Sequence, residues 1–299
     1  MRIRAKGLLA LAFSTALALT AAGTTGAGGA AAAGSRGLEI AVPAYVWPGD
    51  PMLTALQGTS PAASVVVLNP GNGDSPFTTT WQAQADALRA GVPATGGHTK
   101  VLGYVHTGNG TRPIAEVKAS VDNYLKTADG KLHVDGIFFD VVSRDYGAGN
   151  ATRDHYLALR QYVQSTVESV APGTEELVID NPGTAIADCY LEPGHRTADT
   201  FVTYEGSYAN YTGAGWLGGN VFNLTAGYYS GAGFDPDGTS FWHLVYGTSG
   251  QIQLKSALDT AFARGAGYAY ATDDTLPNPW DAAPGYGFGA QTSYAATLG

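Results

Sequence analysis

Two carboxylates stand at the C-terminal ends of short apolar runs. Val134-Asp135-Gly136-Ile137-Phe138-Phe139 closes on Asp140, and Thr200-Phe201-Val202-Thr203-Tyr204 closes on Glu205. Runs of this length, rich in β-branched and aromatic residues, read as strands buried on both faces. If Phe138 and Asp140 share one face, Ile137 and Phe139 take the other, because strand side chains alternate. An acid at the mouth of such a strand is costly unless it reaches water or a partner. One such acid alone could simply cap the next turn. Two acids facing one cleft are what glycoside hydrolysis needs: one protonated to donate to the leaving oxygen, the other ionised to attack or to activate water.

The remaining chain supplies elements to position them. Strand signals fall at 38–46, 64–68, 100–105, 134–140, 176–180, 200–204, 241–246 and 267–271. Helix signals lie between them: a short one from Asp50, one over 81–90, and one opened by Thr111-Arg112-Pro113 with a stripe of Ile114, Val117, Val121 and Leu125. The clearest spans 152–170, with Tyr156, Leu159, Tyr162, Val163, Val167 and Val170 on one side. Ile252, Leu254, Leu258, Ala261 and Phe262 mark a last helix closed by Gly265. The Gly-, Tyr- and Asn-rich stretch 207–239 reads as loops, a short helix and an irregular strand. Eight strand–helix alternations with short connections and no composition break predict a single-domain α/β fold, a (β/α)8 TIM barrel over 34–299. A doubly wound open sheet is the alternative.

Active sites of such barrels lie at the C-terminal ends of the strands. Reading those ends in turn gives Tyr45 and Trp47, Asn69, His106, Asp140, Asn181, Glu205, Tyr246, and Asp273 with Asp274. The aromatic rings offer flat faces to sugars, and Asn69, His106, Asn181 and Asp273 can hydrogen-bond hydroxyls. Asn69-Pro70 and Asp273-Asp274 also read as turns. His155, His195 and His243 are expected in structural or solvated roles. There is no His-Glu-x-x-His and no clustered Cys/His for zinc, and no Gly-x-Ser-x-Gly elbow. No metal or other cofactor is expected.

Composition narrows the partners. Met1-Arg2-Ile3-Arg4-Ala5-Lys6, an apolar stretch to Ala22 and a Gly/Ala tract have the layout of a secretory signal peptide and small-residue linker over 1–33. The formal net charge of -9 becomes -12 once the three basic residues of that leader are gone. Such an acidic chain lacks the footprint for nucleic acid or for a membrane surface. The single cysteine, Cys189, excludes an internal disulfide framework. With 17 Tyr, 5 Trp and only 14% charged residues, the chain suits a polysaccharide better than an anion. A secreted monomer without membrane insertion is the expectation.

Val42-Pro43-Ala44-Tyr45, Asn69-Pro70, Gly103-Tyr104-Val105-His106-Thr107 and the run ending at Asp140 resemble successive motifs of the spherulin-4-like family. Asn181-Pro182-Gly183-Thr184, Tyr204-Glu205 and Gly267-Tyr268-Ala269-Tyr270-Ala271-Thr272-Asp273 continue the likeness in order. The resemblance covers nearly all of the mature chain. It implies an exported (β/α)8 glycoside hydrolase, endo-acting on a polysaccharide containing N-acetylgalactosamine or galactosamine, with Asp140 and Glu205 as its carboxylates. One departure matters: the family usually has Asp-Glu where this chain has Asp140-Val141. If the strand continues through 141, Val141 points toward the helix layer. Two rival readings are a non-catalytic carbohydrate-binding or cell-surface barrel and a deacetylase using a metal at Asp273-Asp274.

Overall fold

The computed structural model describes residues 37–213 and 240–299. The expected leader, and the 207–239 stretch from 214 onward, lie outside the described residues. Eight parallel strands close into a barrel in chain order: β1 (Glu39–Ala44), β2 (Val65–Leu68), β3 (Lys100–His106), β4 (Gly136–Asp140), β5 (Leu177–Asn181), β6 (Thr200–Ser207), β7 (Ser240–Tyr246) and β8 (Tyr268–Ala271). β1 pairs with β8 through Glu39↔Tyr268 and Ile40↔Ala269, which seals the ring. The open-sheet alternative is thereby excluded.

Helices follow most strands: α1 (Pro51–Gln57), α2 (Thr79–Arg89), α3 (Ile114–Leu125), α4 (Ala151–Val170), α5 (Tyr208–Thr212), α6 (Gly250–Ala263) and α7 (Phe288–Ala295). Asp50 starts α1 by accepting a bond from the Met52 N–H (2.8 Å), and Pro51 suits the first turn. α3 and α4 bury the stripes their spacing predicts, Val117, Val121 and Leu125 in one and Tyr156, Leu159, Val163 and Val167 in the other. α3 docks through Gly103 of β3. A Cβ there would meet the Tyr124 ring at 2.5 Å, so only glycine lets the ring lie on the strand, where its hydroxyl donates to the Tyr104 carbonyl (2.7 Å).

Two expectations need correction, and one helix was not anticipated. β5 is followed by a single 3₁₀ turn, Asp188–Tyr190, instead of an α-helix. Tyr190 fills the space, packing on Tyr156 of α4 with its hydroxyl bonded to the Ser143 and Asp145 carbonyls. In α6, Leu254, Leu258 and Ala261 are buried, but Ile252 is 87% exposed and Phe262 is partly exposed. At about 100° per residue, Ile252 falls on the opposite side from Leu254. α7 has weak apolar periodicity and gave no sequence signal. Its Gln291 inserts into the backbone of β8, both accepting from the Ala271 N–H and donating to its carbonyl (3.2 Å each).

The outward face of β5 carries a buried acid. Asp180 is fully buried, one oxygen accepting from Thr197 Oγ1 (2.7 Å) and the other without a partner. Burial pushes its carboxyl up to about 8, only partly offset by Thr197 and by Arg160. A raised acid contributes stability that is fully present below its unfolded value and is lost as pH rises. The loss here runs between about pH 4 and 8, at up to about 1.4 kcal/mol per unit. Asp180→Asn should remove that slope. Melting curves from pH 5 to 8 should therefore show a gap over wild type that widens with pH, whereas a constant gap would contradict a protonated Asp180.

Candidate active site

In parallel strands, residues paired in register point the same way. β3, β4 and β5 pair His106 with Asp140 and Asp140 with Asn181, forming one rung at the C-terminal rim. The rung below holds Tyr104, Phe138 and Ile179. Phe138 meets Tyr104 (ring centroids 6.0 Å) and, from β7, Trp242 (5.7 Å). Only the barrel interior joins β4 to β7 in this way, so both rungs face inward. Asp140 shares a face with Phe138, as alternation requires.

Asp140 is held on both oxygens. Tyr104 Oη donates to Oδ2 (2.5 Å) and Asn181 Nδ2 donates to Oδ1 (2.7 Å). The same Asn181 nitrogen donates to Glu205 Oε2 (3.0 Å). Which way the Asn181 amide faces follows from its other end, where Oδ1 accepts the Gly183 N–H (2.8 Å). The Gly183 carbonyl in turn accepts the Glu205 N–H (3.1 Å). One turn, Asn181-Pro182-Gly183, thus orients both acids. Asp140 Oδ1 and Glu205 Oε2 lie at most about 5.7 Å apart, the two bonds laid end to end.

Glu205 reaches this position because β6 is irregular. β6 does not end at Tyr204; it runs on to Ser207, and its register against β7 shifts between Val202 and Tyr204. Val202 pairs with the inward Trp242, so strict alternation would turn Tyr204 in and Glu205 out. The extra residue, Thr203, reverses this. Tyr204 instead packs on Tyr211 of α5 (4.6 Å), and Glu205 pairs with Leu244, which shares the inward face of Trp242.

Trp280, in the segment between β8 and α7, completes the site. Its Nε1 donates to Glu205 Oε1 (3.0 Å), its carbonyl accepts the Tyr45 N–H (3.0 Å), and its ring meets Tyr246 and Tyr270 edge-on or tilted. Neither Trp280 nor Tyr104 was singled out by sequence. Tyr104 shares the alternating face of His106 and could have been found that way. Trp280 lies in a Pro/Asn-rich loop with no periodicity to mark it.

Burial raises Asp140 above the ordinary carboxylate value, against the pull of Tyr104, the Val141 N–H, Asn181 and His106. Glu205 is raised first by burial, opposed by Asn181, and raised again by the charge of Asp140. As whole residues Glu205 is exposed and Asp140 half-buried, so the pair is open to solvent at the rim and does not lie in a sealed core. Burial and Asp140 also keep the Tyr45 and Tyr104 hydroxyls protonated.

The other expected residues divide. Tyr45 stands edge-on to Tyr104 (5.3 Å), His106 lies beside Asp140, and half-buried Tyr246 touches Trp280. Trp47 is 64% exposed and leans on Trp81 of α2. Asn69 Oδ1 accepts the Asn72 N–H (2.8 Å), a turn role. Asp273 Oδ1 accepts the Gly285 N–H (2.8 Å) and Asp274 Oδ1 the Thr275 N–H (2.7 Å). Among the described residues no three His, Cys, Asp or Glu side chains cluster to hold a metal. His243 is structural: buried, bonded through Nδ1 to Tyr211 Oη (2.7 Å), and pushed down by burial to about 3.

β4 stops at Asp140, so the condition under which Val141 would point toward the helix layer, a strand running through 141, is not met. Val141 adopts φ 52°, with its carbonyl held by Thr107 Oγ1 (2.8 Å) and the Asn109 N–H (2.7 Å). A β-branched residue in the left-handed region is strained by about 1–2 kcal/mol. Val141→Gly should therefore raise the melting temperature by a few degrees. An unchanged or lower value would show that no strain is stored there.

A closed eight-stranded barrel with two carboxylates tied together at its C-terminal rim defines a class of (β/α)8 proteins with a paired-acid site. Within it, the chain belongs to the spherulation-specific family 4, whose model matches residues 39–289. Spherulin-4 of Physarum polycephalum is 28% identical over 167 residues, 54% of this chain and 43% of that protein, so the match spans less than half of the curated relative. Sph3 of Aspergillus clavatus, solved in complex with GalNAc, shares the fold at a TM-score of 0.60 and 21% identity, covering 87% of this chain and 99% of that one. No helix among the described residues is long and apolar enough to cross a membrane.

Proposed function

We propose that this protein is a secreted glycoside hydrolase, endo-acting on a polysaccharide that contains N-acetylgalactosamine or galactosamine, with retention of configuration. The observation that carries the reading is the shared Asn181 amide, which bonds both carboxylates and holds their facing oxygens, Asp140 Oδ1 and Glu205 Oε2, within about 5.7 Å of each other. Retaining enzymes use a spacing of about 5–5.5 Å, whereas inversion needs roughly 6.5–9.5 Å to admit a water between acid and sugar. Asp140, with Tyr104, Asn181 and the Val141 N–H favouring its anion, is the nucleophile. Glu205, pushed up by burial and by Asp140, is the acid and then the base. The amino-sugar substrate is what the resemblance to the spherulin-4-like family implies, and the GalNAc complex of the fold relative supports it. Tyr45 and Tyr246 offer aromatic rings, and His106 a polar edge, to the sugars.

In the first half-reaction Glu205 gives its proton to the glycosidic oxygen. The C1–O pair leaves with that oxygen while an Asp140 oxygen bonds C1. In the second, water bonds C1, its proton passes to ionised Glu205, and the C1–Asp140 pair returns to Asp140. Purified protein incubated with amino-sugar polysaccharides should generate new reducing ends, undiminished by a chelator. Acetate release without new ends, abolished by the chelator, would favour the deacetylase reading instead. Val141→Glu restores the acid usual in the family beside Asp140. An inert wild type that this substitution switches on would establish the binding-protein reading.

A further inference from the structure

We propose that Trp280 is a positioning residue for Glu205: its indole N–H, carried on a loop latched by Asp273, fixes the carboxyl and favours the ionised form required in the second half-reaction. The inference deepens the reading of Glu205 as acid and base.

An indole nitrogen can only donate. Trp280 Nε1 occupies Glu205 Oε1 while Asn181 Nδ2 occupies Oε2, so the carboxyl cannot rotate without losing both bonds. Trp280 is only 4% exposed, which leaves its N–H no ready water if Glu205 turns away. The loop is itself pinned. The Trp280 carbonyl accepts the Tyr45 N–H, its own N–H donates to Asn278 Oδ1 (3.3 Å), and Asp273 Oδ1 accepts the Gly285 N–H. A Cβ at Gly285 would fall 2.6 Å from Asp273 Oδ2, so a side chain there would have to displace the Asp273 carboxyl.

An acid/base residue must hold a proton in one half of the cycle and lack it in the other. Around Glu205 the influences oppose each other. Burial and the Asp140 charge from β4 favour the proton. Tyr104 of β3 and Tyr45 beyond β1 face it as neutral hydroxyls, with His106 beyond Asp140. Asn181 and Trp280 favour the anion. Asn181 serves both acids, whereas Trp280 serves Glu205 alone. It is therefore the group that can move this residue's balance without touching Asp140 directly.

The test is Trp280→Phe, which keeps a ring against Tyr246 and Tyr270 but removes the donor. Carbon-13 NMR titration of the Glu205 carboxyl should find its midpoint raised by about one unit. With an aryl glycoside of good leaving-group ability, the second half-reaction should slow about tenfold more than the first, so a burst of phenol appears. Asp273→Ala, which leaves the indole present but unlatched, should shift the midpoint in the same direction by less and gives a second route should the first variant fold poorly. A folded Trp280→Phe protein whose Glu205 titrates as in wild type would overturn the proposal. The titration needs no substrate, so this failure is distinct from a failure of the hydrolase reading.

Discussion

Replacing Glu205 by Gln should reduce turnover of an amino-sugar polysaccharide by about 10²–10⁴-fold, the scale of a lost positioned proton transfer. Asp140→Asn should cost at least as much, because a neutral amide in place of the nucleophilic carboxylate cannot form the bond to C1. The two variants should differ in stability. At position 140 the new amide can donate to the Tyr104 hydroxyl, which is able to accept. At position 205 it must face either the Trp280 N–H or the Asn181 amide, and both only donate there. Glu205→Gln should thus melt a few degrees below wild type and Asp140→Asn near it. Kinetics and calorimetry on the same preparations check both halves. Variants that cleave at the wild-type rate would remove these acids from the mechanism.

Asn181→Ala should have the next largest effect, a fall of about 10²–10³-fold in kcat, since two charge-assisted hydrogen bonds go with one side chain. Its pH signature has a definite sign. The Asn181 N–H lowers both acids, so removing it lets both rise. Asp140 must be ionised to attack, and a higher value moves the acid limb of the profile toward neutral pH. The deficit should therefore deepen as pH falls through the acid limb and narrow above it. A deficit independent of pH would mean that Asn181 only packs.

Much of this arrangement is legible in the sequence. The apolar runs ending at Asp140 and Asn181 are regular, and alternation from Phe138 gives the correct face for Asp140. The helix stripes of α3 and α4 follow from spacing because each buries a single face. Glu205 was found at the right place for an incomplete reason. Its inward aim depends on the bulge at Thr203, and period-two reading from Val202 would have turned it outward. A bulge leaves no composition signature, since any residue can be the extra one. The backbone at Val141 is not legible for a similar reason: alternation cannot report where a strand stops, and no propensity predicts a valine at φ 52°. Trp280 and the Asp273–Gly285 latch depend on a loop whose path is set by tertiary contacts, notably the Trp280 carbonyl on Tyr45.

The central claim, a retaining pair formed by Asp140 and Glu205, is tested most directly by the configuration of the first sugar released. Proton NMR of a fresh digest, read before mutarotation, should show the anomer of the bond that was cut, as expected for a retaining pair whose facing oxygens are bridged by one Asn181 amide. Release of the opposite anomer would contradict the account.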